Sequence, residues 1–208
     1  RAKLGKPLSG WKPFGRWTGL PPDQDDEFLF DEYPCLIDQD STNKDPISIA
    51  DGINLVRDKM RESKSVVRIT GLSGVGKTRF AQALFETTVC EDALPSSNVI
   101  YADLGESLTP TPSELIDYLS ANNQSAYLVK DNCPSGTHRN LQKQMKSSQA
   151  SLRLLTIEYD ISEDQPEETE SIDIEPSSVE IVSKLIQKRF PELGCFNADT
   201  ISKFAGGN

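Results

Sequence analysis

Apolar positions along the chain switch repeatedly between helical and extended spacing. From Ser48, Ile49, Ile53, Val56 and Met60 recur at intervals of four, three and four, which places them on one face of a helix. The β-branched run "VVRIT" (66–70) then predicts a strand. Past a glycine-rich break, Phe80, Leu84, Phe85 and Val89 return to helical spacing. "NVIYADL" (98–104) predicts a second strand. Thr111, Pro112 and Glu114 supply a capping box with proline at the first helical position, ahead of Leu115, Ile116 and Leu119. "AYLVKD" (126–131) reads as a third strand, residues 138–148 as a short helix, and "LRLLTIEYD" (152–160) as a fourth strand. A short fifth strand, "SIDI", is expected to close the sheet. Ser177 and Glu180 form a further capping box before Val179, Val182, Leu185, Ile186 and Phe190, and a last helix carries Ile201 and Phe204 into Gly206 and Gly207.

Strands alternating with helices imply crossover connections and a parallel sheet covered on both faces. The expectation is therefore an α/β three-layer sandwich with a central, mainly parallel, five-stranded sheet. It divides as an irregular N-terminal arm (1–47), a central domain (48–175) and the start of a C-terminal helical lid (176–208). The arm has five Lys and Arg and no acid in residues 1–22, six acids in residues 23–32, and two tryptophans, Trp11 and Trp17, expected to pack on the domain, with a contact to a partner as the alternative. Residues 158–175 hold nine acids and no Lys or Arg, which reads as a solvated loop. The first residue, Arg1, is no initiator Met, and "AGGN" closes an apolar helical pattern, so the chain is expected to be a segment of a longer protein.

Composition narrows the function classes. The 208 residues are 36% hydrophobic and 26% charged, with no apolar run approaching the roughly 18 residues of a membrane span. A net charge of −10 argues against a nucleic-acid surface, which needs clustered cations. Cys35, Cys90, Cys133 and Cys195 are widely separated and form no CxxC pair, as expected of reduced thiols in a cytoplasmic protein.

The glycine-rich break carries the chemistry. Gly71, Leu72, Ser73, Gly74, Val75, Gly76, Lys77 and Thr78 match GxxxxGK(S/T), between a strand and an amphipathic helix. Glycines let successive backbone N–H groups turn inward as an anion nest, and the helix that follows adds the positive end of its dipole. Gly71, Ser73, Gly74, Val75, Gly76, Lys77 and Thr78 are thus candidate nucleotide-binding residues, with Lys77 reaching the β- and γ-phosphates and Thr78 a Mg²⁺ ligand. Arg79 joins this set by position, its plain alternative being a surface or ion-pairing role. The pattern defines a P-loop NTPase sandwich, which also needs a carboxylate at a neighbouring strand tip to hold Mg²⁺. Asp131 is the candidate and Asp103 its alternative.

Neither NKxD nor DxxG occurs at the spacing of guanine-specific proteins, so ATP or ADP is the expected nucleotide. The loop is also similar to that of small-molecule kinases. Those close an arginine-bearing lid over the phosphoryl group, whereas "SEDQPEETE" follows the fourth strand here. Taken together, "VVRITGLSGVGKTRFAQALF", "AYLVKDNCP", "LRLLTIEYDI" and the proline-bounded helix ahead of "ISKFAGGN" resemble the nucleotide-binding module of STAND-type NTPases, relatives of the AAA+ ATPases that act as signalling switches. The resemblance covers residues 48–208 and is specific only in the P-loop. It implies that the fourth strand inserts between the P-loop strand and the Asp131 strand, with Thr156 as the sensor of the γ-phosphate. It further implies lid helices at the C-terminal end, other domains of the full-length protein as partners, and nucleotide-dependent self-association. Asn132 stands where many relatives have an acid that orients the attacking water. Hydrolysis would then be slow, use Glu158 or Asp103 instead, or be absent, leaving a silent scaffold. His138 reads as a loop or helix-start residue, with a γ-phosphate or partner contact as alternative, and Arg139 as a candidate arginine finger.

Overall fold

A computed structural model describes residues 8–17, 27–159 and 169–205. The acidic run 160–168 and the final "GGN" of the sequence reading lie outside the described residues. Among the described residues seven strands and seven α-helices follow one another. They are β1 (Lys12–Pro13), α1 (Phe14–Trp17), β2 (Leu36–Asp38), α2 (Ile49–Arg61), β3 (Val66–Thr70), α3 (Lys77–Ala83), β4 (Val99–Asp103), α4 (Pro112–Ala121), β5 (Ala126–Asp131), α5 (Ser135–Ser147), β6 (Leu152–Ile157), β7 (Glu170–Ile174), α6 (Val179–Arg189) and α7 (Gly194–Ala205).

The sheet has seven strands, not the five expected, in the order β1-β4-β5-β6-β3-β7-β2. The five expected strands form its parallel centre, with β6 between β3 and β5. The two additional strands come from the stretch read as an irregular arm, and each pairs antiparallel at an edge, β1 on β4 and β2 on β7. Strands of two and three residues are too short to show a period in sequence; only their pairing reveals them. Trp11 donates its indole N–H to the Pro110 carbonyl at 2.9 Å, and Trp17 lies stacked on Tyr101.

Alternation along the strands divides the core into two layers. On one face Val67, Ile69, Val99, Tyr101, Tyr127, Val129, Leu155 and Ile157 pack against α1, α2 and α3. On the other, Val66, Ala102, Ala126, Leu128, Leu152 and Leu154 pack against α4 and α5. Because β3, β5 and β6 are buried on both sides, nearly all their residues are inaccessible.

Helix α2 begins where its pattern predicts, with Ser48 capping the Asp51 N–H, and buries Ile49, Ile53, Val56 and Met60. The same face also buries Arg57. Its guanidinium donates to the carbonyls of Ala83, Leu84, Glu86, Val89 and Glu91 at 2.7 to 3.0 Å. Helix α3 therefore stops at Ala83, short of the expected Val89, and a cation gathers the carbonyls at and beyond its end. Helix α4 has both halves of its capping box. Helix α5 starts three residues earlier than expected, at Ser135, and α6 is capped by Ser178 rather than Ser177. Of the apolar face predicted for α6, Val182 is buried with Ile181, whereas Leu185 and Phe190 are exposed, as are Ile201 and Phe204 on α7. All four cysteines are free thiols, and burial raises Cys35 to about 11 and Cys133 to about 12. Among the described residues no helix is long and apolar enough to cross a membrane.

Candidate functional site

The glycine-rich loop leaves the buried strand β3 at its C-terminal tip and delivers the chain into α3. All three glycines of the loop have positive φ, Gly74 at +87° among them. Gly71 has φ of +140°, and a Cβ there would run into the Ile174 carbonyl of β7; Gly76 caps α3 with φ of +92°. Ser73, Gly74, Gly76, Lys77 and Thr78 line a cavity of about 350 Å³ together with Arg79, Asp131, Asn132, Glu158 and Tyr159.

The half-buried Lys77 ammonium donates to the carbonyls of Gly71 at 2.8 Å and Leu72 at 2.6 Å, so the loop's own backbone aims it across the turn. Burial lowers its pKa, opposed by the negative charges of Asp131 and Glu158. Thr78 donates its hydroxyl to Asp131 Oδ2 at 2.8 Å. The same oxygen accepts from the Tyr101 phenol at 3.3 Å, while Oδ1 takes the Asn132 N–H at 3.0 Å. Burial first, then the charges of Asp131 and Asp103, push the Tyr101 phenol upward, which keeps it a donor. A hydroxyl and a carboxylate side by side at the cavity are hard oxygen donors of the kind Mg²⁺ takes while keeping several waters, so the residues fit that cation.

Asp103 pairs in register with Asp131 but its carboxylate is turned to the Gly105 N–H and the Asn132 amide, each at 2.8 Å, and it does not line the cavity. Glu158, just past β6, does line it, with its backbone N–H on the Ile69 carbonyl. Arg79 forms a two-pronged ion pair with Glu86 at 2.8 and 2.9 Å and lies 4.8 Å from the centre of the Phe28 ring. It therefore has the ion-pairing role while also forming part of the cavity wall.

Thr156 is not brought to this cavity. Its neighbour in register on β5 is Lys130, whereas Asp131 falls one residue further, on the opposite face of the sheet. Thr156 points instead to α5, where it is fully buried and hydrogen-bonded to His138 Nδ1 at 2.8 Å. His138 Nε2 meets Thr169 at 2.9 Å, so the lone histidine is a buried, hydrogen-bonded residue on the first turn of α5. Burial, with Arg68 and Arg139 nearby, lowers it from 6.5 to about 4. Arg139 is half-buried on α5 and lies outside the cavity lining. Beside them, Lys130 is buried with its ammonium 3.5 Å from the centre of the Trp11 ring, and burial pushes its pKa well below the ordinary value.

A second cavity of about 260 Å³ adjoins the first and shares Gly76 and Arg79 with it. Its walls are mainly apolar: Phe28 and Leu29 of the N-terminal stretch, Ile49 of α2, buried Val75, Phe80, Ile174, and Ile181 and Leu185 of α6. Buried Asp31 in its wall accepts the backbone N–H groups of Tyr33 at 3.0 Å and Ser178 at 2.6 Å, which ties the N-terminal stretch to the start of α6. No motif in the sequence marks this cavity, nor the roles of Tyr101 beside Asp131 and Tyr159 on the polar cavity wall. The run of Phe28, Leu29 and Phe30 amid acids was the available signal for the cavity.

No family model matches the chain, and no curated protein sequence matches it significantly. Among solved structures it is similar to a Signal Transduction ATPase with Numerous Domains (STAND) protein with a tetratricopeptide repeat sensor from Pyrococcus horikoshii. That similarity has 12% identity and a TM-score of 0.44, and covers 76% of this chain and 27% of that one. It is also similar to PCH-2 of C. elegans (12%, 0.43, covering 70% and 45%) and to Trip13 of Rhizobiales (13%, 0.39, covering 68% and 54%). The chain thus spans 27 to 54% of the length of these proteins.

Proposed function

We propose that this chain is the nucleotide-binding module of a STAND-type switch ATPase that holds Mg·ATP or ADP between the P-loop and α6. The observation that carries the reading is the pair of adjoining cavities. One is polar and holds Lys77, Thr78 and Asp131; the other is apolar; Gly76 and Arg79 lie between them. A polyphosphate needs the first environment and a purine the second.

In this reading the loop amides and Lys77 grip the β- and γ-phosphates, and Thr78 and Asp131 offer their oxygens to Mg²⁺. When bound, that cation neutralises phosphate charge. Phe28, Val75 and Ile181 enclose the base. Because Ile181 and Leu185 belong to α6, a base in the apolar cavity pins the C-terminal helices to the sheet, and its departure frees them. Among the described residues Glu158 is the carboxylate on the cavity wall besides Asp131; in hydrolysis it would accept the proton of a water that attacks the γ-phosphate as the bond to the departing ADP oxygen breaks, a role that Asn132 lacks the basicity to fill. Asn132 instead fixes Asp103 and Asp131.

Titration with fluorescent ATP, ADP and GTP in magnesium buffer tests the reading. It predicts saturable binding of both adenine nucleotides and weaker binding of GTP. A protein that binds none of them would be a scaffold that has kept the fold, and phosphate transfer to a small acceptor would make it a kinase.

A further inference from the structure

The donors around Asp131 include one whose presence packing alone does not require. Tyr101 lies opposite Val129 in the β4–β5 register, so its side chain reaches diagonally along the same sheet face to Asp131. A phenylalanine would fill the same space. The hydroxyl instead donates to Oδ2 of Asp131, the oxygen that Thr78 also uses.

The ring carrying that hydroxyl is held from outside the parallel core. Trp17 stacks on it with centroids 4.6 Å apart and planes inclined by 13°. Lys12 pairs with Tyr101 across β1 and β4 and lies 5.9 Å from the ring centre. Trp17 in turn is held by edge contacts with Phe14 and Phe85, and its indole N–H has no hydrogen-bond partner among the described residues. Stacking therefore fixes the indole, and the indole fixes the phenol.

We infer that Tyr101 is a positioning residue for the Asp131 carboxylate, and that the docked segment 11–17 sets the cation affinity of the nucleotide site by clamping the Tyr101 ring. The inference rests on the nucleotide-binding reading and adds a route of regulation. Whatever draws residues 11–17 off β4 releases the phenol, leaves Asp131 with one fewer donor, and loosens the hold on Mg²⁺ without touching the phosphate loop.

The test uses fluorescent ADP and the whole chain. Tyr101→Phe keeps the stack and removes only the hydroxyl. The magnesium concentration that half-maximally tightens ADP binding should rise about three- to tenfold, while ADP affinity in EDTA and the melting temperature stay at wild-type values. Trp17→Leu should shift magnesium dependence in the same direction, and Trp17→Phe, which can still stack, should restore most of it. An unchanged magnesium dependence in Tyr101→Phe, or an equal loss of affinity in EDTA that marks a merely structural role, overturns the inference and leaves the nucleotide reading standing. A wild-type chain that binds no ADP in either buffer overturns both.

Discussion

Lys77 does two things at once: its ammonium caps the carbonyls of Gly71 and Leu72, and it faces the cavity beside Asp131 and Glu158. Replacing it with alanine should leave the fold intact and cost about tenfold to a hundredfold in ATP affinity, roughly 1.4 to 3 kcal/mol, as measured by calorimetric titration. The carboxylates separate by the same geometry. Asp131→Asn should abolish the magnesium dependence of binding and Asp103→Asn should not, because Asp103 is turned to Gly105 and Asn132. If ATP is hydrolysed, Glu158→Gln should lower kcat about a hundredfold or more with binding retained, and Asp103→Asn should have little effect, in a phosphate-release assay. The places of the glycine loop between β3 and α3 and of Asp131 at the tip of β5 were legible because a glycine pattern after a strand and an acid closing an apolar run carry their own positions. Thr156 was not. In "AYLVKD" and "LRLLTI" both faces are buried, so no alternation reveals which face a residue takes, and one residue of parity separates Thr156 from the site.

At the scale of elements, a single cation replaces a longer helix. Arg57 satisfies five carbonyls at and after the end of α3, and that helix presents Lys77 and Thr78. Burial lowers the guanidinium's pKa, yet these acceptors keep it worth holding inside. Arg57→Met fits the space but orphans the carbonyls. It should destabilise the protein by about 3 to 5 kcal/mol in urea unfolding and loosen the P-loop helix first in hydrogen exchange. The signal was present in sequence: Arg57 follows Ile53 by four residues and precedes Met60 by three, on the apolar face of α2. Helices with a full apolar stripe and a capping box, such as α4, were readable from sequence. Strands β1 and β2 were not, since their existence depends on the edges of β4 and β7.

For the whole molecule, the buried polar row beneath the sheet makes stability depend on pH in a definite direction. Folded His138 titrates at about 4 instead of 6.5, so between these values the unfolded chain binds the extra proton and folding is penalised as pH falls. The protein should lose about 3 kcal/mol from this group between pH 7 and pH 4. His138→Gln should remove that share of the slope in urea titrations compared at pH 7 and pH 5. Lys130 acts in the same sense at higher pH, because its buried amine titrates below its ordinary 10.5, so Lys130→Met should raise stability at neutral pH. The proposed function places a nucleotide across Gly76, with phosphates toward Lys77 and base toward Phe28 and Ile181. A crystal structure of the chain with Mg·ADP tests it most directly. The β-phosphate is expected within hydrogen-bonding reach of the loop amides and Lys77, the purine in the apolar cavity, and the cation beside Thr78 and Asp131. Nucleotide bound elsewhere, or a loop filled by the chain's own side chains at saturating ADP, would contradict it.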